Sequence, residues 1–131
     1  MRASVASTVC KFGEVRLGIV FSSQHQALLR LVISERERFP DLARTYYERG
    51  PRLGRDSLVT YLEAMNNMNK LDIDNVEEAA RVFIGMLLHE WYIEYLLFRT
   101  EPPTSREIAN RVEHVVDRFL GLYRPIGPVN S

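Results

Sequence analysis

Residues 82–98 read VFIGMLLHEWYIEYLLF, a run in which only Gly85, His89, Glu90 and Glu94 are neither large apolar nor aromatic residues. Wound as a helix, this run points apolar side chains in nearly every direction, and a helix of that kind has to be buried on more than one side. Just upstream, Asp74 stands three residues before Glu77, the spacing of a capping box, which predicts a helix from Val76 to about Arg99. A chain of 131 residues with few other helices has too little protein to cover such a segment completely. A second copy of the chain is the expected remedy: the last two helices of each protomer would form a four-helix bundle across a twofold axis, making a homodimer.

Working outward, every other segment has helical period. In Gln24–Arg38 the residues Leu28, Leu29, Leu31, Val32 and Ile33 make a broad stripe, with Ser22 or Ser23 placed to cap it. Pro40 ends that segment, Asp41 opens a short helix over Leu42–Arg49, and Gly50 closes it. The helix after Pro51 aligns Leu58, Tyr61, Leu62, Met65 and Met68, and frays in the polar run Asn66, Asn67, Asn69, Lys70. Thr104 with Glu107 forms a second capping-box pair and opens the last helix, whose stripe is Ile108, Val112, Val115, Val116, Phe119 and Tyr123. Residues 5–21 read as helix more weakly, being rich in valine and glycine. With no sustained strand alternation and no hairpin dipeptide, the fold class is all-α, with about five to six helices.

Composition bounds the function. Seventeen basic and seventeen acidic residues cancel, so the chain lacks the basic surplus of a nucleic-acid binder. The charge is unevenly spread: +3 over residues 1–34 (four basic, one acidic), +1 over 35–56 (six and five) and −4 over 57–131 (seven and eleven), read here as solvated helix faces. A single cysteine, Cys10, excludes an internal disulfide and fits a reducing compartment. The longest uninterrupted apolar stretch, Val82–Leu88, falls far short of the roughly 20 residues of a membrane span, and no signal-peptide core is present, so a cytoplasmic location is expected.

The run LLRLVISERERFPDLARTYYERGP (Leu28–Pro51) resembles the ligand-binding and dimerisation half of TetR-type transcriptional repressors. The segments AARVFIGMLL and EIANRVEHVVDRFLGLY are similar, in character and order, to the last two helices of that family. The resemblance covers about residues 20–123. It implies a regulatory domain over 20–124, preceded by a weakly matched helical lead over 1–19 and followed by a flexible tail over 125–131. It also implies that the intact protein represses a promoter until a small effector binds. Members of the family read DNA through an N-terminal helix-turn-helix domain of about fifty residues. Nothing of the kind stands before residue 20 here, so DNA contact is expected only through such a domain and not through this chain.

No motif of an enzyme is present: no Gly-rich phosphate loop, CxxC, HExxH or nucleophile elbow. His89–Glu90 and Glu113–His114 are adjacent pairs whose side chains diverge by about 100° on a helix, so neither is expected to chelate a metal, and no cofactor is expected. The aromatic and thioether set Tyr46, Tyr61, Met65, Met68, Phe83, Met86, Trp91 and Tyr95 serves equally as packed core or as the lining of a cavity. Where the family has its pocket, the candidate lining is Arg30, Tyr61, Met65, Met86, His89 and Trp91, for an apolar or amphipathic small molecule. The candidate dimer interface is Glu90, Glu94, Arg111, Val112, Val115 and Phe119, where a charge placed at Val115 or Phe119 is expected to break the assembly. A cavity of several hundred Å3 favours the sensing role. A dry, saturated core across Met65, Met86 and Trp91 favours the alternative, a pure dimerisation module pairing with itself or with an intact relative.

Overall fold

The computed structural model describes residues 4–98 and 101–125; the expected tail lies, from residue 126 on, outside the described residues. Six helices follow in order: α1 (Val5–Val20), α2 (Ser23–Glu35), α3 (Pro40–Arg49), α4 (Pro51–Asn67), α5 (Val76–Phe98) and α6 (Ser105–Leu122). No strand occurs among the described residues. Local chemistry sets most boundaries. Ser22 Oγ accepts from the His25 amide at 3.2 Å and caps α2. Thr104 and Glu107 close a reciprocal capping box on α6. At α5 the expected Asp74–Glu77 pair gives way to the neighbouring residue: Asn75 Oδ1 accepts from the Glu78 amide at 3.1 Å. Both α3 and α4 start on proline, which needs no amide partner in a first turn.

The polar run after α4 is a built turn. Asn69 takes the left-handed conformation with φ of 59°, which asparagine tolerates better than most residues. The Asn66 side chain donates to the Ile73 carbonyl at 3.0 Å and accepts from the Ile73 amide at 2.9 Å. That pairing seats Leu71 and Ile73 in the core ahead of α5.

The core lies where α1, α4 and α6 pack around α5. Val9, Gly13 and Leu17 of α1, Leu58 and Leu62 of α4, Phe83 and Leu87 of α5, and Val112, Val116 and Phe119 of α6 are all buried. Phe83 meets Phe119 with ring centroids 4.9 Å apart and tilted by 58°, and Phe12 joins at 6.2 Å from Phe83. Each such side chain contributes roughly 1.5–3 kcal/mol on burial. The stretch expected as a lead over 1–19 thus holds a helix that supplies one wall of the core.

The valine stripe of α6 faces inward. Val112 and Phe119 are fully buried within the protomer and Val115 nearly so. Their packing surface is therefore occupied by α1 and α5 of the same chain, and a charge at Val115 or Phe119 would break the protomer's core before any assembly. The outward face of α6 carries Asn110, Glu113, His114, Asp117 and Arg118.

Helix α5 is bent where the sequence reading makes it continuous. His89 sits at φ 28°, ψ −147°, outside the helical region, a conformation that costs a non-glycine residue free energy. Its Nδ1 accepts from the Trp91 amide at 3.0 Å, so the imidazole caps the start of the second half of α5. Beyond the bend, Trp91, Tyr92 and Tyr95 surround the buried Phe21 ring at 5.0, 6.4 and 5.4 Å between centroids.

The α1–α6 crossing is closest at Gly13. A Cβ there would lie 2.9 Å from Val112 Cγ1 and 3.4 Å from Leu87 Cδ2, both on buried side chains. Gly13→Ala is expected to lower stability by about 1–3 kcal/mol through overpacking. Gly18→Ala, on the same helix with nothing within 4 Å of the new methyl, is expected to raise it by up to about 1 kcal/mol. Urea denaturation of the pair checks this, and equal effects would place the α1–α6 contact elsewhere.

Candidate functional site

A cavity of about 1640 Å3 is an open cleft walled by α1, α2, α3, α4 and α5. Its apolar lining comes from Phe12, Val15, Ile19 and Val20 of α1, Leu28 and Val32 of α2, Leu42 of α3, Leu53 of α4, and Ile84 and Leu88 of α5. The volume exceeds the roughly 300–1,000 Å3 usual for a small-molecule pocket. A few polar groups converge on it: Arg16, His25, Tyr46 and Tyr92.

Arg16 lies on the cleft side of α1, four residues after Phe12 and four before Val20, at the spacing of one helix face. Its Nε is buried without a hydrogen-bond partner. Burial lowers the guanidinium's affinity for its proton and nearby Arg55 adds to this, while Tyr46 and Tyr92 act against it. Gly54 of α4 makes the space, since a Cβ there would collide with Arg16 Nη1.

His25 and Tyr46 join α2 to α3 through a 2.6 Å contact between the phenol oxygen and Nε2. Burial, and then Arg16, push the His25 imidazole down, so it is neutral near pH 7 and its Nε2 can accept from the phenol. Burial pushes the Tyr46 and Tyr92 phenols up, keeping both as donors. At the rim, Arg55 Nη1 donates to Tyr47 Oη at 2.9 Å. Behind the cleft, the buried Gln26 donates to the Val20 carbonyl at 2.9 Å and fixes the α1–α2 elbow.

None of the six residues expected to line a pocket lines this cleft. Arg30 is half-buried on α2 and its Nη2 reaches the Leu96 carbonyl at 3.5 Å, tying α2 to the far half of α5. Tyr61 and Met65 of α4 and Met86 of α5 pack against the core. His89 forms the bend, and Trp91 lies between Phe21 and Arg111, whose guanidinium carbon sits 4.7 Å from the indole centroid. Of the wider aromatic and thioether set only Tyr46 reaches the cleft. The missed residues were marked by one legible signal, an arginine at core spacing inside α1.

Glu90 and Glu94, expected at a dimer interface, are exposed on the second half of α5. Arg111 is half-buried, with Nη1 lacking a partner, and burial depresses its proton affinity. Cys10 is half-buried, and burial with Glu14 and Glu113 raises its pKa, which leaves a protonated thiol of low nucleophilicity. No group of three or more metal-ligating side chains gathers among the described residues, and no described helix is long and apolar enough to cross a membrane.

The described chain is similar to proteins of known class. Residues 8–125 match a family described as the C-terminal domain of AefR-like transcriptional repressors. A TetR-family transcriptional regulator from Mesorhizobium loti has the same fold, with a TM-score of 0.85 at 20% identity over 94% of this chain and 61% of that one. A TetR transcriptional regulator from Agrobacterium tumefaciens gives a TM-score of 0.74 at 28% identity over 94% and 60%. The chain therefore spans about three fifths of the length of these solved proteins. A search of curated proteins finds no match.

The depressed imidazole gives a pH dependence. The unfolded chain's histidine titrates near 6.5, so below that pH the unfolded state takes up the proton first and stability falls toward the lower folded value. Urea midpoints are expected to drop on the acid side of about pH 6.5. His25→Gln flattens the drop and leaves the share of His89, which burial and Arg111 also hold low. An unaltered profile in that variant would mean that burial and Arg16 do not hold the His25 imidazole down.

Proposed function

The chain belongs to the family of AefR-like TetR-type repressor C-terminal domains, and on that premise we propose that it is the effector-sensing and dimerisation part of a transcriptional regulator. The observation that carries the sensing role is the 1640 Å3 cleft, largely apolar and with half-buried polar groups converging on it. Such a site takes a small apolar or amphipathic molecule. The cleft is walled by five of the six helices, so an effector bound there would draw α2 and α3 toward α1 and α5. DNA release follows from such a movement only in a protein that also carries a DNA-reading domain.

Pairing as a homodimer is supported by the second half of α5. Ile93, Leu97 and Phe98 are 48%, 64% and 70% exposed beyond the bend at His89. Ile93 and Leu97 are four residues apart on one face, and Glu90 and Glu94 flank them. Large apolar side chains grouped on a surface in this way mark a contact with another protein. The candidate interface residues Glu90, Glu94 and Arg111 fit this region, with Arg111 able to meet a carboxylate of the partner subunit.

Two measurements test the reading. Native mass spectrometry is expected to show a species at twice 15.2 kDa, which Leu97→Glu converts to monomer without unfolding it. The neutral fluorophore N-phenyl-1-naphthylamine is expected to bind saturably, one per protomer. Gly85→Trp should abolish that binding, because Gly85 borders the cleft and has open space above it. A parent chain that binds no probe is a dimerisation module alone, and a parent chain that stays monomeric at micromolar concentration removes the pairing role.

A further inference from the structure

The charge along the cleft is one-sided. Lys11, Arg16, Arg49, Arg55 and Arg81 line it, and no aspartate or glutamate does, in a chain whose basic and acidic residues are equal in number. Arg16 lies among apolar side chains with its Nε buried and unpartnered. The one ion pair found among the described residues, Arg52–Asp56 at 3.9 Å, lies elsewhere, so no described side chain forms an ion pair with Arg16. A half-buried guanidinium set among apolar side chains, with its Nε out of reach of water and no counter-ion, costs free energy unless something supplies the missing charge.

We infer that the effector is an anionic amphiphile, its oxyanion head paired with Arg16 and its apolar body laid along Phe12, Leu28, Ile84 and Leu88. This rests on the cleft being the effector site. A planar guanidinium meets a carboxylate through two parallel hydrogen bonds, stronger than neutral ones in a desolvated setting. The Tyr92 hydroxyl, which is not engaged by His25, supplies a further donor beside it. Gly54 keeps the guanidinium in place, since any side chain there would push Nη1 aside. Lys11, Arg49 and Arg81 are exposed at the mouth and raise the local concentration of anions without being paired with them.

Displacement of N-phenyl-1-naphthylamine by decanoate, decan-1-ol and decylamine, three probes with the same ten-carbon chain, tests the inference at pH 7.5. Decanoate is expected to displace the probe at a concentration about tenfold or more below that of decan-1-ol, as a charge-assisted hydrogen bond allows. Decylamine should be the weakest of the three. In Arg16→Met the advantage of decanoate over decan-1-ol disappears, while the ligand-free variant melts no lower than the parent because an unpaired charge has been removed from an apolar setting. Equal potency of decanoate and decan-1-ol on the parent chain overturns the inference and leaves the cleft reading intact. So does a decanoate preference that survives in Arg16→Met. If the fluorophore itself fails to bind, the cleft reading falls and the inference with it.

Discussion

Helix α5 constrains everything around it. Its 23 residues are apolar on nearly every side over the first half, and burying that surface is the largest favourable term open to a chain of this size. Helices α1, α4 and α6 cover it, and Phe83 and Leu87 disappear completely beneath them. Close approach is possible because Gly13 lets α1 pass against Val112 and Leu87 with no methyl group between. Two parts of α5 remain uncovered: the edge carrying Ile84 and Leu88, which opens on the cleft, and the outer face beyond His89, which carries Ile93 and Leu97. The two surfaces proposed above for the effector and for pairing are thus the two stretches of α5 that the other described helices leave open.

The bend at His89 separates those surfaces. A straight helix would carry the second half of α5 along the same axis as the first. Instead the imidazole caps a new start, and the Trp91, Tyr92 and Tyr95 rings turn onto Phe21 at the α1–α2 elbow. Tyr92 belongs both to this aromatic cluster and to the cleft wall, and Arg30 ties α2 to the Leu96 carbonyl on the same segment. Side chains in contact thus form a packed route from the cleft wall to the half of α5 that bears Ile93 and Leu97. Arg111, stacked on Trp91 with one nitrogen unpartnered, lies at the far end of that route.

Much of the fold was legible in the sequence. Capping residues at Ser22 and the Thr104–Glu107 pair, the breaks at Pro40 and Pro51, and the stripe of α6 all stand as their local chemistry implies. Local signals suffice there because caps and prolines act within four residues of themselves. The direction of the α6 stripe was not legible. An apolar face wants burial but carries no mark of whether its own chain or a second copy provides it, and Val112, Val115 and Phe119 are covered by α1 and α5.

The site was the least legible part. Arg30, Tyr61, Met65, Met86, His89 and Trp91 are residues of the right kind, yet packing places them in the core, at the bend or between helices, and the cleft forms from α1 with the opposite edge of α5. Arg16 and His25 belong to helices whose relative position depends on the Gly13 crossing and the α1–α2 elbow, neither of which has a local signature. By itself the sequence determined the helices and most of their ends, because hydrophobic period and capping are written in neighbouring residues. The class of protein was carried by the resemblance of Leu28–Pro51 to a known family. Only the tertiary structure decided which apolar faces stay open and which cation is left without a partner, because those depend on how completely distant helices cover one another.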